Sequence, residues 1–214
     1  LRRITSTAEQ AIGGCEAASI SMMTKNGPVP CGATDVLADE GDQIQYDEAE
    51  GPCMDAALLE QWVSTPDLGV DPRWPRSASR LSHELGVQSM FSCRMTLDAA
   101  PNKTLGGLNL YATTPHAFTT QDQMLAILLS SLGAVVVDAS RQQEQLRAAI
   151  ASRQVIGEAI GILRAQTNVS SEQAFEMLSR ASQRTNVKLR DLAQQIADGS
   201  RTGGEPHLDG PDRH

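Results

Sequence analysis

Arg147, Arg153, Arg164, Arg180, Arg184, Lys188 and Arg190 all fall in the last third of the chain. Arg180 and Arg184 are four residues apart, so on a helix they share one face. Lys188 and Arg190 follow closely. Cations grouped this way suit a phosphate backbone, which they position without reading base identity. Ser182, Gln183 and Asn186 lie among them and carry groups able to bond base edges, while arginine planes can stack on unpaired bases. Each arginine taken alone is as readily a solvated surface charge. As a set they make a candidate nucleic-acid patch.

The overall charge of −8 argues against nucleic acid, but it is unevenly spread. Residues 1–140 hold 8 Lys and Arg against 17 Asp and Glu, residues 141–200 hold 8 against 6, and residues 201–214 hold 2 against 3. An acidic front joined to a mildly basic back is the asymmetry of an input region attached to a nucleic-acid binder.

Other chemistry is thinly supported. Four cysteines stand at 15, 31, 53 and 93 with no C-x-x-C spacing, so no metal site is expected. Cys53 sits near a helix start, where the helix dipole can lower a thiol pKa and make a redox sensor; the alternative is a small buried hydrophobe. His83 and His116 are isolated and suit surface or capping roles better than haem ligation. No Ser-His-Asp arrangement, phosphate loop or metal motif is present, so no enzyme activity and no cofactor are expected. No signal peptide and no run of 18 apolar residues stand out, which makes a cytoplasmic chain with reduced thiols and no membrane contact the expectation.

The elements that must carry these groups are legible from periodicity. Residues 1–12 read as an amphipathic helix, and Ala18–Met23 and Val29–Ala33 as strands around the Asn26-Gly27-Pro28 turn. Asp35–Tyr46 is helical but interrupted by Gly41. Gly51-Pro52 opens a helix through Trp62, Pro66–Pro75 is a loop and Trp74–Leu85 a short helix. Val87–Leu97 and Leu105–Ala112 are strands joined by a turn-rich segment. This order gives an α+β fold with helices gathered on one side of a sheet.

From Thr120, where Thr120-x-x-Gln123 spells a capping box, the chain should stay helical. Positions 125, 128, 132, 135, 139, 142, 146, 149, 153, 156, 160 and 163 keep a 3-4 spacing, and ten of the twelve are apolar. A helix of ~45 residues reaches ~70 Å, more than one small domain covers. A parallel coiled coil in a homodimer answers this. A break in the polar stretch Ser140–Gln145, leaving two separate helices, is the alternative. Ser170-x-x-Gln173 starts a second helix with Ala174, Phe175, Leu178 and Ala181 as its apolar stripe and Phe175 in the core. Asn186 is placed as N-cap of a third, along which Leu189, Leu192, Ala193 and Ile196 repeat. Residues 200–214 lack periodicity and read as a disordered tail.

The spelling of the back third resembles an ANTAR domain: Ser152-Arg153, Ile156-Gly157, Ala159-x-Gly161-x-Leu163, Gln173-Ala174-Phe175 and Ser182-Gln183-x-x-Asn186-x-Lys188-Leu189-Arg190-Asp191-x-Ala193. The chain departs from that pattern at Ile160, where lysine is common, and gains Arg164 one turn later. The front resembles a GAF domain through Glu50-Gly51-Pro52-Cys53-x-Asp55-Ala56, Asp71-Pro72-Arg73-Trp74-Pro75, Gly106-x-Leu108-Asn109-Leu110-Tyr111 and Ala117-Phe118. Asn102-Lys103 begins like the N-K-F-D-E set of cyclic-nucleotide GAF domains, but Thr104-Leu105 ends the match, and no Cys-His pair for a covalent bilin is present.

The resemblance implies a GAF domain over 1–138 with an antiparallel sheet and flanking helices, a helical linker over 139–148, a three-helix ANTAR bundle over 149–199 and a tail over 200–214. It implies a transcription antitermination regulator whose ANTAR domain binds paired RNA stem-loops. The residues expected at the RNA are Arg153, Arg164, Arg180, Gln183, Arg184, Asn186, Lys188 and Arg190, with an unidentified small-molecule ligand for the GAF domain. Two other readings stay open: DNA binding through the C-terminal helices, and a thiol enzyme like the GAF-type free methionine sulfoxide reductases.

Overall fold

The computed structural model describes residues 1–97 and 104–201. The turn-rich segment before Leu105, with Asn102-Lys103, and nearly all of the tail expected over 200–214 lie outside the described residues. The chain divides into two compact units, Leu1–Ser140 and a second that starts at Arg141.

The first unit runs α1 (Arg2–Ala11), β1 (Ala17–Thr24), β2 (Gly27–Ala33), α2 (Val36–Glu48), α3 (Pro52–Leu58), β3 (Trp62–Thr65), α4 (Pro75–Leu85), β4 (Ser89–Met95), β5 (Gly106–Ala112) and the start of α5 (Thr120–Thr167). The five strands form one antiparallel sheet in the order β2-β1-β5-β4-β3. Strand β3 was not expected: Trp62 begins it, where the sequence suggested the end of a helix. It is only four residues long, too short for a period-2 pattern to register. At the opposite edge, Pro28 and Pro30 remove two N–H groups from β2 and blunt it against further pairing.

Helices cover both faces of the sheet, not one. Ala18 and Ile20 of β1, Phe91, Cys93 and Met95 of β4, and Leu108 and Leu110 of β5 meet Ala8 of α1, Ile12 just beyond it, and Ala126, Leu129, Ala134 and Val137 of α5. The alternate residues Ala17, Met90 and Tyr111 meet Ala38 and Ile44 of α2, Ala56 of α3 and Ala78 and Leu81 of α4. Successive strand residues point to opposite faces, so both must be covered once both are largely apolar. Each fully buried large apolar side chain contributes roughly 1.5–3 kcal/mol. Gly41 does not interrupt α2. It is the residue over which the helix meets the sheet, since a Cβ there would come within 2.7 Å of the Tyr111 ring.

Helix α5 is continuous from Thr120 to Thr167. No proline occurs within it, and the polar stretch Ser140–Gln145 does not break it. Its N-terminal cap lies one residue earlier than expected. The Thr119 hydroxyl accepts from Asp122 N at 3.3 Å, and Asp122 Oδ2 accepts from Thr119 N at 2.9 Å. Asp122 fills the reciprocal role expected of Gln123. An 18-residue window of α5 has a mean hydropathy of 1.7, apolar enough by length and composition to cross a bilayer, a test that the core helix of a soluble protein also passes. Within the first unit, Ala126, Leu129, Ala134 and Val137 pack into the core beneath the sheet.

The second unit is a small helical bundle made of the C-terminal part of α5 with α6 (Ser171–Thr185) and α7 (Leu189–Arg201). Its centre is Ala159, Leu178 and Ala193, flanked by Val155, Ile156, Leu163, Leu189, Leu192 and Ile196. The capping box at Ser170 forms as expected: Gln173 N donates to Ser170 Oγ at 3.2 Å and Ser170 N donates to Gln173 Oε1 at 2.9 Å.

Candidate functional site

Two regions carry groups beyond those that the folds need. The first lies in the second unit. Arg180, Gln183 and Arg184 stand exposed on α6, Asn186, Lys188 and Arg190 are exposed around the α6–α7 corner, and Arg153 and Arg164 are exposed on α5. Arg180 and Arg190 make loose ion pairs with Glu176 and Asp191, each at 3.3 Å between exposed side chains. Such pairs are worth little and exchange readily for phosphate. Arg184 and Lys188 have no ion pair among the described residues.

The corner itself corrects two expectations. Asn186 does not start α7; it ends α6, in the left-handed conformation at φ 53, with its N–H bonded to Ser182 O. Asparagine tolerates that region better than most residues. Ser182 is used structurally, donating to Val187 O at 2.6 Å, which leaves only its lone pairs available to a base. Lys188 then takes the position before α7, its carbonyl accepting from Asp191 N and Leu192 N. Phe175 is 45% exposed and not in the core. The buried side of α6 is set by Ala174 and Leu178, one turn apart, and Phe175 is rotated off it by about 100°.

The second region is a buried polar network under the sheet face that α2 and α3 cover. Asp42 of α2 is fully buried. Its Oδ2 accepts from Ser21 Oγ at 2.8 Å, its Oδ1 accepts from Asn109 Nδ2 at 2.8 Å and from the Tyr111 hydroxyl, and the Tyr46 hydroxyl bonds Ser21. Gln45 extends the network, donating to Tyr111 Oη at 3.1 Å and accepting from Cys53 N at 2.9 Å. Burial pushes the Asp42 carboxyl above its ordinary value, against the pull of hydrogen bonds from Tyr111, Ser19, Ser21 and Asn109. Beside the network is a cavity of about 20 Å³ lined by Ser21, Tyr46, Cys53, Gly107 and Asn109, with Met22, Met23, Pro28, Met54 and Ala57 completing its walls.

Cys53 does not have the lowered pKa expected of a thiol near a helix start. Burial pushes it well above its ordinary value, and the nearby charges of Asp42 and Asp55 push the same way. Cys15 is likewise pushed up to about 12, chiefly by burial. Thiolate chemistry is disfavoured at both. Among the described residues no three His, Cys, Asp or Glu side chains converge as metal ligands.

The two loop motifs of the first unit also have structural work. Glu50 Oε1 accepts from Arg76 N at 2.7 Å and Ser77 N at 3.0 Å, capping α4 from outside, because Trp74 at its N-cap offers no side-chain bond. Trp74 Nε1 donates to Asp55 Oδ2 at 2.8 Å, Arg73 lies 4.1 Å over the Trp74 ring, and Asp71 grips Arg73.

A GAF domain model matches residues 1–138 and an ANTAR domain model matches residues 144–196. The chain belongs to the GAF domain family and carries a C-terminal ANTAR domain. Both are regulatory domains. No curated protein matches the sequence. Among solved structures, the chain is similar to a domain assigned to a two-component sensor histidine kinase protein from Sinorhizobium meliloti, at 13% identity and a TM-score of 0.55, covering 68% of this chain and 93% of that one. It is similar to the type II free methionine-R-sulfoxide reductase from Thermoplasma acidophilum, at 13% identity and 0.51, covering 64% and 88%. A third is the photoproduct state of the GAF3 domain of a Synechocystis protein, at 9% and 0.54, covering 68% and 95%. Identities this low establish the GAF fold alone. The network around Asp42 is the part of the GAF domain that sequence reasoning missed. Its signal was present as Ser19 and Ser21 alternating with apolar residues in β1, and as Asn109 between two leucines in β5.

Proposed function

We propose that this GAF–ANTAR protein is a cytoplasmic regulator of transcription antitermination. Its ANTAR domain binds paired stem-loops in nascent RNA, and its GAF domain receives a small-molecule signal. The observation that supports the RNA reading most is the set of exposed cations on α6 and the α6–α7 corner, within an ANTAR domain. Arg180, Arg184, Lys188, Arg190, Arg153 and Arg164 supply phosphate contacts, and Gln183 and Asn186 supply groups for loop bases. Exposed Phe175 adds a ring on which an unpaired base can stack. Held stem-loops keep a terminator hairpin from forming, so transcription continues.

The domain limits we assign are 1–138 for GAF, 139–148 for the linker and 149–199 for ANTAR. The working species is a homodimer paired along α5, in which the signal alters helix pairing and so aligns two ANTAR domains on two stem-loops. Coupling of about 1–3 kcal/mol suffices for a switch.

The test is binding of a two-stem-loop RNA by fluorescence anisotropy, with wild type beside an Arg180→Ala, Arg184→Ala, Lys188→Ala variant and duplex DNA as competitor. The variant should bind roughly tenfold or more weakly. Its salt dependence should fall by about one counterion for every phosphate that the removed cations had neutralised. Unchanged RNA affinity in the variant, or displacement by duplex DNA at equal concentration, would overturn the reading.

A further inference from the structure

In the second unit, one face of α5 changes character partway along. On a helix of 3.6 residues per turn, Leu146, Ile150, Arg153, Gly157, Gly161 and Arg164 fall within about 80° of one another. All six are exposed. Leu146 and Ile150 are apolar and spaced to meet a helix of a second copy. From Arg153 onward the same face reads Arg, Gly, Gly, Arg.

Glycine inside a helix lowers its stability relative to alanine. Elsewhere in the chain close packing explains the choice: a Cβ at Gly41 would come within 2.7 Å of Tyr111, and one at Gly133 within 2.9 Å of Met95. A Cβ at Gly157 or Gly161 would meet nothing within 4 Å. The core of the bundle is carried by other sides of the helix, through Val155, Ile156, Ala159 and Leu163. No described residue uses the space that the two glycines leave. They bare one turn of helix backbone to whatever approaches from outside.

The charges on this face select the occupant. Arg153 and Arg164 flank the glycines, about 16 Å apart along the axis. Neither has an ion pair among the described residues. Glu172 feels the charge of Arg164 but takes its hydrogen bond from Ser170. Glu158 is turned about 100° from Gly157. A second α5 running parallel would set each arginine against its own copy, where like charges repel, and the glycines would supply no knob to pack. A polyanion answers both features. It pairs with the arginines, and its backbone can lie close where side chains are missing.

We propose that one strand of an RNA stem lies along this face, its sugar–phosphate backbone close over Gly157 and Gly161 and its phosphates held by Arg153 and Arg164. Guanidinium forks match phosphate oxygens. The contact reads the shape of a paired stem and not base identity. The proposal rests on reading the ANTAR domain as the RNA binder, and adds the face of α5 against which the stem lies.

The test is hairpin RNA binding by the full chain carrying Gly157→Ala with Gly161→Ala, or Gly157→Leu with Gly161→Leu. Alanine and leucine both favour the helix, so both variants should unfold at a Tm a few degrees above wild type. RNA affinity should fall all the same, about threefold with alanine and tenfold or more with leucine. Arg153→Gln with Arg164→Gln should lower the salt dependence of binding by about two counterions. Light scattering without RNA is run on the same samples. Wild-type RNA affinity in both glycine variants would overturn the proposal, and a changed oligomeric state beside it would give the face to a second copy. If Arg180→Ala, Arg184→Ala, Lys188→Ala loses RNA while the glycine variants keep it, the proposal alone falls. A wild type that binds no hairpin RNA removes the regulator reading and the proposal with it.

Discussion

Glu50 is a side chain whose contribution to stability depends on pH. Burial raises its pKa, but the amides of Ser77 and Arg76 and the Arg76 guanidinium outweigh this and hold the carboxyl below its ordinary 4.5. A carboxyl depressed in the folded state stabilises above the unfolded value, and that stability is lost as pH falls through the folded one. Glu50→Ala should therefore cost about 1 kcal/mol at pH 7, the usual scale for removal of a cap. In urea unfolding the difference from wild type should shrink as pH is taken below 4.5; a constant difference would count against the capping role. Residue chemistry was unevenly legible from sequence. The cations of the ANTAR domain were read directly, because exposed charge needs no partner to be recognised. Asp42 was not, because its meaning lies in Ser21, Asn109 and Tyr111, which the fold brings to it from distant parts of the chain. Cys53 was left between two readings for the same reason: helix position suggests a lowered pKa, and burial beside Asp42 pushes it the other way, as for a small buried hydrophobe.

Helix ends and helix contacts govern the elements. Ser170→Ala removes the capping box of α6 and should destabilise the ANTAR domain by about 1 kcal/mol, read as loss of helical circular dichroism at lower temperature. An equal melting curve would show that packing alone holds α6. Ala193 is wholly buried in the cluster it forms with Ala159 and Leu178, so a larger side chain there must displace its neighbours. Ala193→Leu should cost about 1–3 kcal/mol through overpacking while leaving every exposed cation in place. Full stability in that variant would show that the bundle is looser than its alanine centre implies. Helix starts were readable from sequence to within a residue or two, as Thr119 and Thr120 show, because capping is local chemistry. The end of α3 and the strand β3 were not, because that strand exists through its pairing with β4.

At the scale of the whole molecule, α5 uses its apolar residues in two ways. Ala126, Leu129, Ala134 and Val137 are buried in the GAF core, while Leu128, Leu132, Val135, Leu146 and Ile150 stay 52–62% exposed. The exposed set keeps the 3-4 spacing of a coiled-coil seam, and a second copy of the helix would cover it. On the proposed pairing, wild type should be a dimer and Leu132→Lys with Leu146→Lys a monomer by light scattering at micromolar concentration. A monomeric wild type under those conditions would remove the coiled-coil model. One alanine inserted after Gln142 would rotate everything beyond it by about 100°. Signal-dependent RNA binding should be lost in that variant, and an unchanged response would refute coupling through the helix.

Sequence alone determined the two kinds of domain and the cations that stand exposed in the second, and it favoured one long helix over two. These depend on periodicity, capping and exposed charge, all of which act over a few neighbouring positions. Tertiary structure decided the rest. It placed helices on both faces of the sheet, turned Phe175 outward and made Asn186 the end of α6. It also closed a carboxyl, an amide and two phenols into one network under β1 and β5. Those outcomes depend on which distant residues share a face once strands pair and helices dock, and spacing along the chain does not encode that.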